Sequence, residues 1–274
     1  MEASVPPFDT SLVDFENPPV VEVALGIQFE EPVTSDGRTL GRFWPTVRED
    51  YPRLEQQPGL PPQSEEFGPP APPSFEFLTG PPPARHWLLN EPGDWLIQLQ
   101  PDRIMLNWRR VSEGHEYPRY EALRPLLRTH LDTLLGLPDG PNADQAKPDW
   151  VDVTYVNQVV SGSASEYPSL SSILTLISDS PDSLPPIEHS TFTQQHVVRN
   201  GDEPVGRLHI TAQPGIRNAD RKPLYTITLV ARLKVSEPTL DGAFTALDGG
   251  RALVVETFRD ITEPSMHAEW GIEG

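Results

Sequence analysis

The stretch Val20–Phe29, VVEVALGIQF, returns in the second half of the chain as Trp150–Val160, WVDVTYVNQVV. Val21-Glu22-Val23 and Gln28 of the first copy match Val151-Asp152-Val153 and Gln158 of the second. Apolar and polar side chains alternate in both, which is the period of a strand with one buried face. In the first copy Val21, Val23, Leu25, Ile27 and Phe29 take one face, and Glu22, Ala24, Gly26 and Gln28 take the other. A strand pattern that opens each half points to a duplicated unit.

Working outward, residues 1–17 read as an N-terminal arm, because Phe8, Leu12, Val13 and Phe15 are too apolar for a solvated tail. The first half is expected over 18–137, a hydrophilic linker over 138–149 and the second half over 150–274. Residues 39–56 carry a helical stripe of Phe43, Val47, Tyr51 and Leu54, limited by Pro45 and Pro52. Residues 58–74, PGLPPQSEEFGPPAPPS, read as an extended proline-rich loop, or as a ligand for a proline-binding domain.

Residues 75–110 read as a meander with turns at 91–94 and 100–103. Counting from tight turns sets Leu88 against Ile97, Leu99 against Ile104 and Ile97 against Leu106. One face then holds Leu88, Trp95, Ile97, Leu99, Ile104, Leu106 and Trp108. The opposite face holds Trp87, Leu89, Leu96, Gln98, Gln100, Arg103, Met105, Asn107 and Arg109. Residues 118–137 make a helix on the stripe Leu123, Leu126, Leu127, Leu131 and Leu134, closed by Gly136 and Pro138.

The second half repeats the order. A strand covers 150–160, a short helix lies near 169–178, and strands lie near 191–198, 205–213 and 223–235. A last helix starts near Asp241 on Ala243, Phe244, Leu247, Leu253, Val254 and Phe258, with Gly249-Gly250 as a weak point. The fold class is α+β: two related β-α-β(3-4)-α halves forming one curved antiparallel sheet with helices on one side. This element order resembles the duplicated saddle of the TATA-binding-protein-like fold. The alternative is a helix-grip, in which one sheet wraps the C-terminal helix around a cavity.

Composition bounds the function. The 274 residues hold no cysteine, which excludes disulfides, thiolate chemistry and cysteine-bound metal. No apolar run reaches the roughly 20 residues of a membrane span, and MEASVPPFDT has no basic n-region or apolar h-region. A cytoplasmic protein without membrane contact is expected. The formal charge of -19 disfavours nucleic acid and suits a basic protein partner. No phosphate loop, nucleophile elbow, HExxH or EF-hand pattern occurs, so no cofactor and no metal are implied.

Three sets of residues remain as candidates. Glu22 and Asp152, with Gln28 and Gln158, would share the non-helical face if the two opening strands pair. Paired carboxylates can share a proton or bind a cation, and the plainer reading is a solvent-facing acid copied by duplication. Arg207, His209 and Arg232 alternate onto one face and suit an anionic ligand, or a histidine base if its pKa is lowered. Trp87, Gln98, Arg103, Met105 and Arg109 form a mixed patch. Such residues anchor protein interfaces or stack bases, unless an arm such as residues 1–17 covers them.

NPPVVEVALGIQF, YEALRPLLRTHL and VVETFRDITEPSMHAEWG together resemble a family of sporadically distributed prokaryotic proteins without an assigned activity. The resemblance spans nearly the whole chain and is strongest at its ends. It implies an accessory gene of the kind found in defence or toxin neutralisation, and it transfers no catalytic residue. The expected function is a non-enzymatic binding protein that engages a protein partner, such as a toxin or basic effector, through the non-helical sheet face. The alternatives are a ligand-binding protein or enzyme with a concave pocket, and a nucleic-acid-binding saddle.

Overall fold

The computed structural model describes residues 12–33, 37–61, 63–68, 84–112, 114–138, 146–163, 165–178, 180–181 and 183–273. In chain order the elements begin with β1 (Asp14–Phe15), β2 (Val20–Phe29), α1 (Gly37–Val47), β3 (Arg53–Gln57) and β4 (Arg85–Leu89). They continue with β5 (Trp95–Gln100), β6 (Arg103–Arg109), α2 (Tyr120–Leu135), β7 (Pro148–Val160) and β8 (Phe192–Asn200). The last are β9 (Glu203–Ile216), β10 (Pro223–Lys234), α3 (Leu240–Ile261), α4 (Pro264–Trp270) and β11 (Ile272–Glu273).

Nine strands form one antiparallel sheet in the order β3-β4-β5-β6-β2-β7-β10-β9-β8. The two echoing strands, β2 and β7, are neighbours at its centre. Leu25 faces Val153, Glu22 faces Val156 and Gly26 faces Asp152. Outward from this pair the connections match on both sides, with the last strand of each half beside its first.

The apolar face of each strand enters a single core. Val23, Leu25 and Ile27 of β2 join Leu106 and Trp108 of β6, Val151 and Val153 of β7, and Ile227, Leu229 and Ala231 of β10. α2 closes the first half with Leu123, Leu127, Leu131 and Leu134, and α3 closes the second with Ala243, Phe244, Leu247 and Val254. Two helices therefore divide the face, so no single helix is gripped by the sheet. At about 25 cal/mol per Å² of buried apolar surface, this shared core is the main stabilising term.

The hairpins adopt the register expected from turn counting. Leu88 faces Ile97, Leu99 faces Ile104 and Ile97 faces Leu106. Several local expectations are corrected. The stretch 39–56, read as helical in part on a stripe that included Leu54, is helix only as far as Val47, and Leu54 belongs to the edge strand β3. Pro52 lacks an N–H and excludes helical backbone at Tyr51, whose carbonyl instead accepts from Trp44 Nε1 at 3.0 Å.

The helix near 169–178 is only a 3-10 turn over Leu170–Ser172. Ser172 Oγ donates to the Ser169 carbonyl at 2.7 Å, the local competition that makes serine a poor helix former. The proposed linker falls largely on residues 139–145, outside the described residues, and β7 begins at Pro148.

The arm does not cover the non-helical face where it is described. β1 pairs with β11, and Phe15 packs against Phe258, His267 and Trp270. Apolar Phe15 is drawn to this aromatic cluster, while Arg119 holds Asp14 by an ion pair and the Phe15 carbonyl at 3.0 Å.

Gly249-Gly250 is not a weak point in this context, since both residues are buried in α3. A Cβ on Gly250 would meet Val153 Cγ2 at 2.9 Å, on the central strand. The glycine is what lets α3 lie close on β7. Gly250→Ala is expected to lower stability by about 1–3 kcal/mol through overpacking, despite the better helix propensity of alanine. Urea unfolding followed by circular dichroism checks this, and a variant as stable as wild type would disprove the close-approach role.

Candidate functional site

The core takes one face of the sheet and leaves the other lined by polar and charged side chains. Strand pairing sets these into transverse rows. One row crosses all nine strands as Glu55, Trp87, Gln98, Met105, Gly26, Asp152, Arg232, Arg207 and Val197. Six of the ten candidate residues thus stand in one line, because each alternation register continues into the next strand. Gln100, Arg103 and Gln28 lie in an adjacent row.

This face is crossed by part of the proline-rich segment. Gln100 grips Leu60 with both ends of its amide: Oε1 accepts from the Leu60 N–H and Nε2 donates to the Leu60 carbonyl, each at 2.8 Å. Arg103 Nη2 donates to the Pro61 carbonyl at 2.9 Å, and Gln28 Oε1 accepts from the Gln63 N–H at 2.8 Å. Farther on, Arg207 Nη2 donates to the Glu66 carbonyl at 3.1 Å, with its guanidinium over the Phe67 ring. Side chains of the sheet thus bond the backbone of an extended segment lying over them.

Glu65 anchors the far end. Its side chain is only 4% exposed and sits among Arg207, Arg232 and His209. Arg207 Nη1 bonds one oxygen. His209 Nε2, at 2.7 Å, and Arg232 Nη1, at 2.9 Å, bond the other. Burial pushes this carboxyl up, but the His209 hydrogen bond and the positive charges of Arg232 and Arg207 outweigh it and hold the group below its ordinary range. Arg232 Nε also bonds Asp152 Oδ1 at 2.7 Å. Burial raises the Asp152 carboxyl, with Arg232 and Arg103 pulling it back. Two carboxylates thus balance two guanidiniums, and one of the carboxylates comes from the crossing segment.

The first half of the face is organised around Trp87 and Gln98. Gln98 Oε1 accepts from Trp87 Nε1 at 3.0 Å and from Arg85 Nη1 at 2.9 Å, and its Nε2 donates to Asn107 at 2.8 Å. Arg85 and Arg109 lie over the Trp87 ring at 5.4 and 5.8 Å. Among the described residues neither has a carboxylate within ion-pair distance.

The candidate residues therefore fall into two groups and one separate acid. Arg207, His209, Arg232 and Asp152 converge. Arg109 lies over Trp87, which bonds Gln98, whereas Arg103 stands at the other end of β6 on Asp102 and Pro61, with Met105 between the groups. Glu22 and Asp152 do not converge. Glu22 faces Arg109 and accepts from Asn107 at 2.8 Å, while Asp152 lies opposite Gly26. Four residues of β2 separate the two positions, about 13 Å, because antiparallel pairing carries matched residues away from the centre in opposite directions.

Arg85, Glu65, Gln100 and Asn107 complete the site and were not singled out from sequence. The acidic pair within PPQSEEFG is the only local signal for Glu65, and the reading of 58–74 as a proline-rich loop passed over it. Among the described residues no group of three or more histidine or acidic side chains is placed to hold a metal, and no helix is long and apolar enough to cross a membrane. Comparison with protein-family models, curated proteins and solved structures finds no match to this chain.

Glu65→Gln removes the charge that balances Arg207 and is expected to weaken docking of the segment by about 1–3 kcal/mol. Chymotrypsin should then cut after Phe67 faster than in wild type. Unchanged cleavage would show that the carboxylate does not anchor the segment. A carboxyl depressed on docking contributes fully above its undocked range and loses that contribution as pH falls through the depressed value. The amide resonances of Leu60 and Gln63 should accordingly keep docked positions at neutral pH and move toward random-coil positions only below the ordinary carboxylate range. Docking that persists in strong acid would exclude this linkage.

Proposed function

We propose that this chain is a non-enzymatic binding protein that engages a protein partner through the non-helical face of its sheet, with residues 60–67 as an internal occupant of that surface. The observation that carries the reading is how the segment is held. Gln28, Gln100, Arg103 and Arg207 bond its backbone, and Arg207, Arg232 and His209 bond the side chain of Glu65. Backbone bonding for affinity with a side-chain anchor for specificity is how extended peptides are recognised.

Chain length supports the same reading. β3 and β4 are adjacent antiparallel strands, and a hairpin joins such strands with two to five residues. Here the connection runs from 58 to 84. In its described part Pro58 and Pro61 favour extended backbone, lowering the entropy lost when it docks.

The formal charge of -19 belongs to the whole chain and suits a partner that is basic overall. The face itself presents arginines, so the partner segment that replaces 60–67 is acidic and extended. The echo of β2 in β7, their central pairing and the matched strand order support a duplicated saddle as the platform. The resemblance to the sporadic prokaryotic family supports an accessory role.

A labelled peptide of residues 58–68 offered in trans tests the reading. It is expected to bind full-length Glu65→Ala protein saturably and wild type at least about tenfold more weakly, because the tethered segment competes at a high effective concentration. Adding Arg207→Ala should abolish the gain. No saturable binding to either protein would reject the face as a peptide-binding surface.

A further inference from the structure

Among the described residues, nothing satisfies one buried N–H group each of Arg85 and Arg103. Arg103 is 3% exposed. Its Nε and Nη2 bond Asp102 at 3.3 and 2.8 Å, and Nη2 also reaches the Pro61 carbonyl, but its Nη1 has no acceptor. Arg85 spends Nη1 on Gln98, while its Nε is shielded from water without a partner. Native proteins rarely leave such groups unpaired, and a charged donor costs more than a neutral one. The two guanidiniums also act on each other: burial, then the charge of Arg103, lowers the pKa of Arg85. An arrangement of two like charges with orphan donors is relieved by one anion.

The second half of the same face supplies a precedent for the kind of anion. There the guanidinium N–H groups of Arg207 and Arg232 meet a carboxylate, Glu65, and every one of its contacts is charge-assisted. We infer that Arg85, held over the Trp87 ring, and Arg103 form a receptor for a side-chain carboxylate on an acidic segment of the protein partner. The assignment rests on the reading of the face as a binding surface for the source of that carboxylate. A planar carboxylate offers two oxygens to two N–H donors. Trp87 stiffens the receptor by holding Arg85 against its ring at 5.4 Å. A polyphosphate chain is disfavoured by the overall negative charge.

The test uses the full chain with nitrogen-15 arginine and follows the Arg85 Nε–H resonance during titration with acetyl-Glu-Glu-Glu-amide. The resonance is expected to shift saturably, and not to shift with acetyl-Gln-Gln-Gln-amide. Arg85→Gln should weaken binding of the glutamate peptide by about tenfold or more, the effect of losing charge-assisted hydrogen bonds. This variant decides the matter because Arg85 bonds Gln98 and not the crossing segment, and an unchanged amide spectrum elsewhere confirms its fold.

A stationary Arg85 resonance, or full-strength binding to Arg85→Gln, overturns the assignment. So does saturation by inorganic phosphate where the glutamate peptide has no effect. Any of these together with trans binding of the 58–68 peptide defeats the receptor alone. Loss of the trans binding with a saturable Arg85 shift defeats the wider reading and leaves the receptor.

Discussion

Everything in this fold hangs on the pairing of β2 with β7. Both strands are central, so each must satisfy its backbone on two sides and bury one apolar face. Val23, Leu25 and Ile27 meet Tyr155, Val153 and Val151 across the join, and a slip of one residue would turn them all to the polar side. The pairing merges two half-sheets into one and gives α2 and α3 a continuous surface to cover. It also sets the distance between the two basic clusters, since each lies a fixed number of strands from the join.

The opposite face follows from that arrangement. A wide sheet with helices on one side leaves a second surface that must be solvated or covered. Here Gln28, Gln98, Gln100, Arg103, Asn107 and Asp152 are all buried, so their polar groups need partners. Some find one another. Others are satisfied by Leu60, Pro61, Gln63 and Glu65, which come from outside the sheet. The polar surface is thus completed by a segment whose backbone, not its fold, supplies the partners.

The two halves of this face differ in balance. The Arg207–Arg232 cluster is neutralised by Asp152 and Glu65, whereas in the Trp87 region Arg85 and Arg109 have no carboxylate within ion-pair distance among the described residues. Such asymmetry within a matched strand order gives the two ends of the face different electrostatics. The framework needs only the strand register, so the exposed row is free to change.

Local chemistry was legible in the sequence and long-range partnership was not. The alternation of VVEVALGIQF and WVDVTYVNQVV determines two one-sided strands. The turns near 91–94 and 100–103 determine the β4–β6 register, because tight turns leave no freedom to slip. The leucine stripe of α2 is equally local. Proline at 52 and serines at 169–172 also act locally, but against a hydrophobic periodicity that alone suggested longer helices. Tertiary structure alone decided that Glu65 meets Arg207, Arg232 and His209, and that Glu22 and Asp152 stay apart. An extended proline-rich segment has no periodicity to reveal its path, since its position comes from side chains far away in the chain. Strand pairing in turn gives the two acids different partners, Arg232 for Asp152 and Asn107 for Glu22, through a register that only the folded sheet imposes.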